Sequence, residues 1–166
     1  MRVRPRTCTR DGFCLLEVVI ATTTLIVALS ALAQLLTVAV LTTRRASAMT
    51  LATVLAQQKI EDLVPQAAIG GAGLGASPPD ALARDVDGYC DFADASGRIV
   101  GLRAPAPATA VYVRRWSIEA LSTGSAASVV LHVLVTDAHR GGADAAAVLA
   151  LQPADAHIVS VVRTVP

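Results

Sequence analysis

From residue 18 to residue 43 the chain reads VVIATTTLIVALSALAQLLTVAVLTT, without one charged side chain and without a proline or glycine. A bilayer core is crossed by about 20 mostly apolar helical residues, so this run is long enough to span one. It also explains an unusual composition. Apolar residues make up 54 % of the 166 and charged residues 16 %, and the excess of the former is concentrated here. One residue disturbs the picture. Glu17 stands at the head of the run, and a carboxylate on a membrane helix costs about 2.5–3.5 kcal/mol by insertion scales. It requires a partner or a functional reason.

The formal charge of +1 conceals a split between the two ends. Arg2, Arg4, Arg6 and Arg10 stand against Asp11 alone in residues 1–12, a basic leader that the positive-inside rule puts on the cytoplasmic side. Without that leader the remainder carries a formal charge of −2. No basic patch survives that would suggest nucleic-acid binding. Arg44 and Arg45 follow the apolar run and can reach the headgroups by snorkelling.

Beyond the run the pattern turns amphipathic. Ala52, Leu55, Ala56, Ile60 and Leu63 recur at helical spacing, with Thr53, Gln57, Gln58, Glu61 and Asp62 largely elsewhere. The spacing predicts one continuous helix from residue 13 to about 64, roughly 75–80 Å long at 1.5 Å per residue. Its part over 13–43 is the membrane-spanning portion, and 44–64 is the amphipathic continuation. Residues 65–84, PQAAIGGAGLGASPPDALAR, read as a connecting loop.

Residues 85–166 change to a period of two. Residues 88–93 and 98–102 flank Asp94-Ala95-Ser96-Gly97, a hairpin turn with glycine at the left-handed position. Residues 111–121 form a strand with Tyr112, Trp116, Ile118 and Ala120 on one face, interrupted by Arg114. Residues 128–136, SVVLHVLVT, are β-branched and strand-like; AHRGGADA then turns the chain into VLALQ (148–152), and residues 157–165 close it. Short strands with tight connections favour an antiparallel sheet, so the expected class is α+β.

The string GFCLLEVVIA, residues 12–21, resembles the prepilin motif at the N-terminus of type IV pilins and type II secretion pseudopilins. In that family a basic leader ends in glycine, phenylalanine follows, and a glutamate lies at the fifth mature position of an apolar helix. Gly12, Phe13 and Glu17 match those three places, while Cys14 replaces the usual Thr or Ser. AQQKIEDL (56–63), the Gly-rich loop, GYCDFADASGR (88–98) and Tyr112–Trp116 are similar to minor pilins of the type IV pilus modification group.

The resemblance implies a pilin-like fold and a mechanism. A prepilin peptidase would cut between Gly12 and Phe13 and N-methylate Phe13. Glu17 would then form an assembly salt bridge with the Phe13 amine of a neighbouring subunit. Partners would be that peptidase, other pilin or pseudopilin subunits and the inner-membrane assembly platform. The chain would be a single-pass inner-membrane protein, N-terminus cytoplasmic and C-terminal domain periplasmic, before entering a pilus or pseudopilus. The cysteine pair common near the C-terminus of major pilins is missing, which favours a minor subunit.

Two other readings stand beside it. The run can be a plain membrane anchor, or a secretory signal peptide cleaved after Ala31-Leu32-Ala33, which leaves Gln34 first.

No catalytic arrangement emerges, so the chain reads as a non-enzyme. His132, His139 and His157 are far apart in sequence and show no two-histidine metal spacing. Cys8, Cys14 and Cys90 make no CxxC, and Cys90 reads as a small buried hydrophobe. Asp85, Asp87, Asp91 and Asp94 are an acidic cluster, and DVDG superficially suggests calcium, but no Glu completes an EF-hand loop. Solvated turn carboxylates and no cofactor are the expectation. For Arg114-Arg115-Trp116 the expectation is one exposed arginine and one covering an aromatic or acidic neighbour.

Overall fold

The computed structural model describes residues 15–68, 76–123, 126–140 and 148–163. Helix α1 spans Leu15–Ala68, followed by β1 (Cys90–Ala93), β2 (Ile99–Gly101), β3 (Tyr112–Thr123), β4 (Ala126–Asp137) and β5 (Ala156–Arg163). The chain divides into two units between Thr43 and Arg44. In the first unit, every described residue is exposed, because an isolated helix has no second layer to cover it.

The second unit is a helix packed on a five-stranded antiparallel sheet of order β2-β1-β3-β4-β5, the α+β arrangement expected from the patterning. Its helical portion presents Ala52, Leu55, Ala56, Leu63 and Ala67 to the sheet, where they meet Ala93, Trp116, Ile118, Leu131, Val133, Val135, Ala156 and Val162. Ile60 is partly buried beside them. The alanines let the helix lie close to the strands, and Leu55, 1 % exposed, is a fully buried leucine worth about 1.5–3 kcal/mol.

The helix passes through Pro65 to Ala68 instead of stopping before it. Proline there removes one backbone donor, but Pro65 itself is exposed and Ala67 beyond it is buried against the sheet. Gln66 donates its side-chain amide back to the Asp62 carbonyl at 2.8 Å. The packing of Ala67 keeps the last turn helical.

The sheet's two faces are covered differently. On the face away from the helix, Cys90, Phe92, Ala110, Val113 and Ala138 form a small second core at the β1–β3 end. Towards β5 that cover runs out: Leu134 is buried, His132 is half-buried, and Val159 and Val161 are exposed.

β1 pairs with β3 only over residues 112–115. Above that the β3 edge is closed by other means. Ser77 donates its backbone N–H to the Ile118 carbonyl at 3.0 Å, and its hydroxyl accepts from the Ile118 N–H at 3.0 Å. Trp116 N–H donates to the Tyr89 carbonyl. The segment read as a loop therefore protects an edge strand from foreign pairing. Residues 148–152, expected as a strand, are not one: Val148 and Leu149 lie in a helical turn, with Val148 buried.

The β1–β2 turn is as expected. Asp94 accepts from the Ser96 and Arg98 backbone N–H groups at 2.8 and 3.0 Å, and Gly97 has φ 84°. A Cβ on Gly97 would sit 3.0 Å from Leu51 Cδ1, whereas at Gly88, also at φ 84°, it would meet nothing within 4 Å. We expect Gly88→Ala to cost about 1–2 kcal/mol from backbone strain alone. Gly97→Ala should cost at least as much in urea denaturation, and an unchanged midpoint for Gly97→Ala would contradict the turn geometry.

Candidate functional site

Gly12, Phe13 and Cys14 lie outside the described residues, as does the whole leader 1–12. Glu17 is described: it occupies the first turn of α1 and is exposed. A negative charge in that turn is favourable towards the helix N-terminus. Around it, Val18, Ala21, Thr22 and Leu25 line a shallow recess together with Glu17.

The hydroxyls of the apolar run behave differently from its carboxylate. Every Ser and Thr within residues 18–43 donates its hydroxyl to a carbonyl one turn back: Thr22 to Val18 at 2.9 Å, Thr23 to Val19 at 2.9 Å, Thr24 to Ile20 at 2.8 Å, and likewise Ser30, Thr37, Thr42 and Thr43. These hydroxyls need nothing from outside the helix. Among the described residues no hydrogen bond or ion pair reaches Glu17. The run is also the one described helix long and apolar enough to cross a membrane, and the apolar window is 0 % buried.

The second polar constellation joins the helix to the sheet. Asp91 and Arg114 sit directly opposite each other on β1 and β3. Arg114 donates Nε to Asp91 Oδ1 at 2.9 Å and Nη2 to Oδ2 at 2.7 Å, and Nη1 donates to the Leu55 carbonyl of α1 at 2.9 Å. Lys59 lies 3.9 Å from Asp91 Oδ2, its ammonium 3.5 Å over the Trp116 ring. Burial pulls the Lys59 ammonium below its ordinary range, with Asp91 opposing and the Arg114 charge adding to the fall.

On the opposite face Arg115 donates Nε to Asp85 at 2.8 Å and Nη1 to Thr136 Oγ1 at 3.0 Å. Both arginines are thus buried, at 6 % and 1 % exposure, against the expectation that one would be solvent-facing. Each has a carboxylate placed for it by strand pairing or by the 76–89 segment, which sequence spacing does not reveal. Trp116 is held on the helix face beneath Lys59.

The acidic cluster is dispersed accordingly. Asp91 is 2 % exposed and ion-paired, so it is not a solvated turn carboxylate. Asp85 faces Arg115, Asp87 accepts from the Ala104 N–H at 3.3 Å, and Asp94 caps its own turn, where the Ser96 hydroxyl and backbone donors hold its carboxyl below the usual range. Among the described residues, no three His, Cys, Asp or Glu side chains converge as a metal-holding group.

Cys90 is buried, as the sequence suggests, and burial next to Asp85 pushes its thiol up to about 11. The histidines depart from expectation. His139 stands alone near Asp137, but His132 and His157 meet: Nδ1 of the former is 3.4 Å from Nε2 of the latter. The β4–β5 register pairs Leu134 with His157 and His132 with Val159, making the two histidines diagonal neighbours on the open face. Burial and the neighbouring ring push His157 below its ordinary value.

No family model matches the chain, and no curated protein or solved structure matches it either.

Two outcomes check this geometry. Asp91→Ala strands a buried guanidinium and should cost about 3–5 kcal/mol, while Asp91→Ala with Arg114→Met should recover most of the loss. Urea denaturation of the full chain in detergent, followed by the fluorescence of its single tryptophan, reads both. At pH 8.5 Cys90 should resist iodoacetamide in the folded protein and react readily once unfolded, because only the thiolate attacks. Peptide mapping by mass spectrometry distinguishes it from Cys8 and Cys14.

Proposed function

We propose that this chain is a pilin-like subunit: a prepilin, cut between Gly12 and Phe13 and N-methylated at Phe13, that assembles through its apolar helix into a type IV pilus or type II secretion pseudopilus, most similar in role to a minor pilin. The observation that carries the reading is the pairing of Glu17 with nothing in its own helix, at the head of a run whose hydroxyls are all satisfied internally. A carboxylate left this way in apolar surroundings calls for a cation, and cleavage after Gly12 would create one as the Phe13 amine. A charge pair in low dielectric costs far less than either charge alone, so the match fixes the axial register of one subunit against the next.

The fully exposed apolar run supports the same reading. A helix hydrophobic all round is buried in lipid or against other helices, and this chain offers the run no cover of its own within the first unit. The sheet unit would then face the periplasm or the outside. The peptidase supplies the only catalysis, and the subunit is its substrate.

Mass spectrometry of the mature N-terminus tests the cut. N-methyl-Phe at residue 13 is the expected result; an intact leader would mean a plain anchor, and a start at Gln34 a secreted domain. Glu17→Ala should still be processed yet enter filaments poorly, and normal incorporation of that variant would sink the pairing argument.

A further inference from the structure

The open face of the sheet carries a feature that filament assembly does not use. His132 on β4 and His157 on β5 bring two imidazole nitrogens to 3.4 Å on a surface flanked by the exposed Val159 and Val161. Their ring centroids are 5.6 Å apart and their planes differ by 22°. The centroid separation exceeds the nitrogen separation by about two ring radii. The two nitrogens therefore lie close to the line joining the ring centres, and the rings meet edge to edge with those nitrogens facing.

We propose that His132 Nδ1 and His157 Nε2 form a two-imidazole site for a divalent first-row transition ion of the zinc, copper or nickel class. Two nitrogens bound to zinc at about 2.0–2.1 Å and subtending a tetrahedral angle stand about 3.3–3.4 Å apart, the spacing found here. With the nitrogens facing, the ion would sit about 1.2 Å off the line between them, and each ring would have to turn by roughly 35° to aim its lone pair at it. The donor set selects its occupant: imidazole suits zinc, copper and nickel, whereas magnesium and calcium seek oxygen. The remaining coordination positions open to solvent and are filled by water.

The surroundings suit this use. Ligation through His132 Nδ1 puts the ring proton on Nε2, which then needs an acceptor. Ser117 is the direct cross-strand neighbour of His132 on the same face. It is 4 % exposed, and its Oγ has no hydrogen-bond partner among the described residues. No hydrogen bond joins it to His132 in this structure, so it would serve as that outer acceptor only once the ring has turned to bind the ion. Because the two histidines belong to different strands, the site exists only when β5 is paired with β4 in its native register. Ion binding must therefore stabilise the sheet by mass action. The inference rests on the β4–β5 geometry alone and stands apart from the pilin reading.

The test uses the full-length chain in detergent micelles, purified without a histidine tag. Zinc chloride and copper chloride are titrated calorimetrically, with magnesium chloride as the comparison. One ion per chain is expected, with copper tighter than zinc, and no saturable heat from magnesium. His132→Gln and His157→Gln should each weaken zinc binding roughly tenfold or more, given that losing even an outer partner of a ligand costs that much. His139→Gln should leave binding unchanged. Zinc should raise the melting temperature of the parent chain and not that of His157→Gln. Copper bound to the parent chain should show splitting from two nitrogens in its paramagnetic resonance spectrum. Absence of saturable binding, or binding that survives His157→Gln because the ion sits on Cys8 and Cys14, would overturn the assignment. All three substituted positions are at the surface or half-buried, so circular dichroism is expected to show each variant folded.

Discussion

The grip of Arg114 on two elements at once is the interaction on which the sheet unit depends. Desolvating a guanidinium and a carboxylate costs several kcal/mol for each ion, and only good geometry offsets it. Here the fork is bidentate to Asp91, and a third donor, on Nη1, reaches the backbone carbonyl of Leu55. The apolar contacts below it are repetitive: alanines and leucines at helical spacing would pack nearly as well after a shift of one turn. The guanidinium would not, because the shift would leave a buried donor unpaired. Apolar burial thus supplies the attraction between helix and sheet, and the ion pair selects one register. Lys59 over Trp116 extends the same junction by one turn, at the expense of its own proton affinity.

The two faces of the sheet follow from where the chain has material to cover them. The helix shields one face. The other is shielded at the β1–β3 end by a small core around Phe92 and left open where β4 and β5 pair. Polar groups near these boundaries meet different fates. Arg115 and Thr136 are sealed under cover, with half-buried Asp85 completing their hydrogen bonds, whereas His132 and His157 lie at the margin against each other. The exposed apolar helix is a third case, a surface uncovered within its own unit, and the proposed subunit role would provide cover from neighbouring helices or lipid.

What was legible in the sequence was whatever repeats locally. Ala52, Leu55, Ala56 and Leu63 declare a buried helical face through their spacing, and Asp94 with Gly97 declares a turn through backbone chemistry. The strands of residues 111–121 and 128–136 declare themselves through β-branched content. Pairings between distant residues left no such trace. Asp91 meets Arg114 because β1 and β3 align them, and His132 meets His157 because β4 and β5 align at one register and not the next. Alternating strand patterns permit several such registers, so the partners become visible only with the sheet assembled. Pro65 misleads for a related reason: its local preference to end a helix yields to the tertiary contact of Ala67. Residues 148–152 have the composition of a strand, but Val148 and Leu149 lie in a helical turn that buries Val148. For Glu17 the sequence already held the puzzle, and the fold adds that no described group resolves it.

The threonines at 22–24 carry a mechanical consequence. Each hydroxyl gives its proton to a carbonyl that also serves the helix ladder, which draws that carbonyl outward and weakens its backbone bond. Three in succession cover about 200° of the circumference at about 100° per residue, so the weakened part of the ladder lies on one broad side of the helix. The turn just beyond Glu17 is therefore more easily bent than a turn of alanine or leucine would be. A carboxylate mounted beside such a turn would have some freedom to reach the counter-ion that the proposed pairing requires.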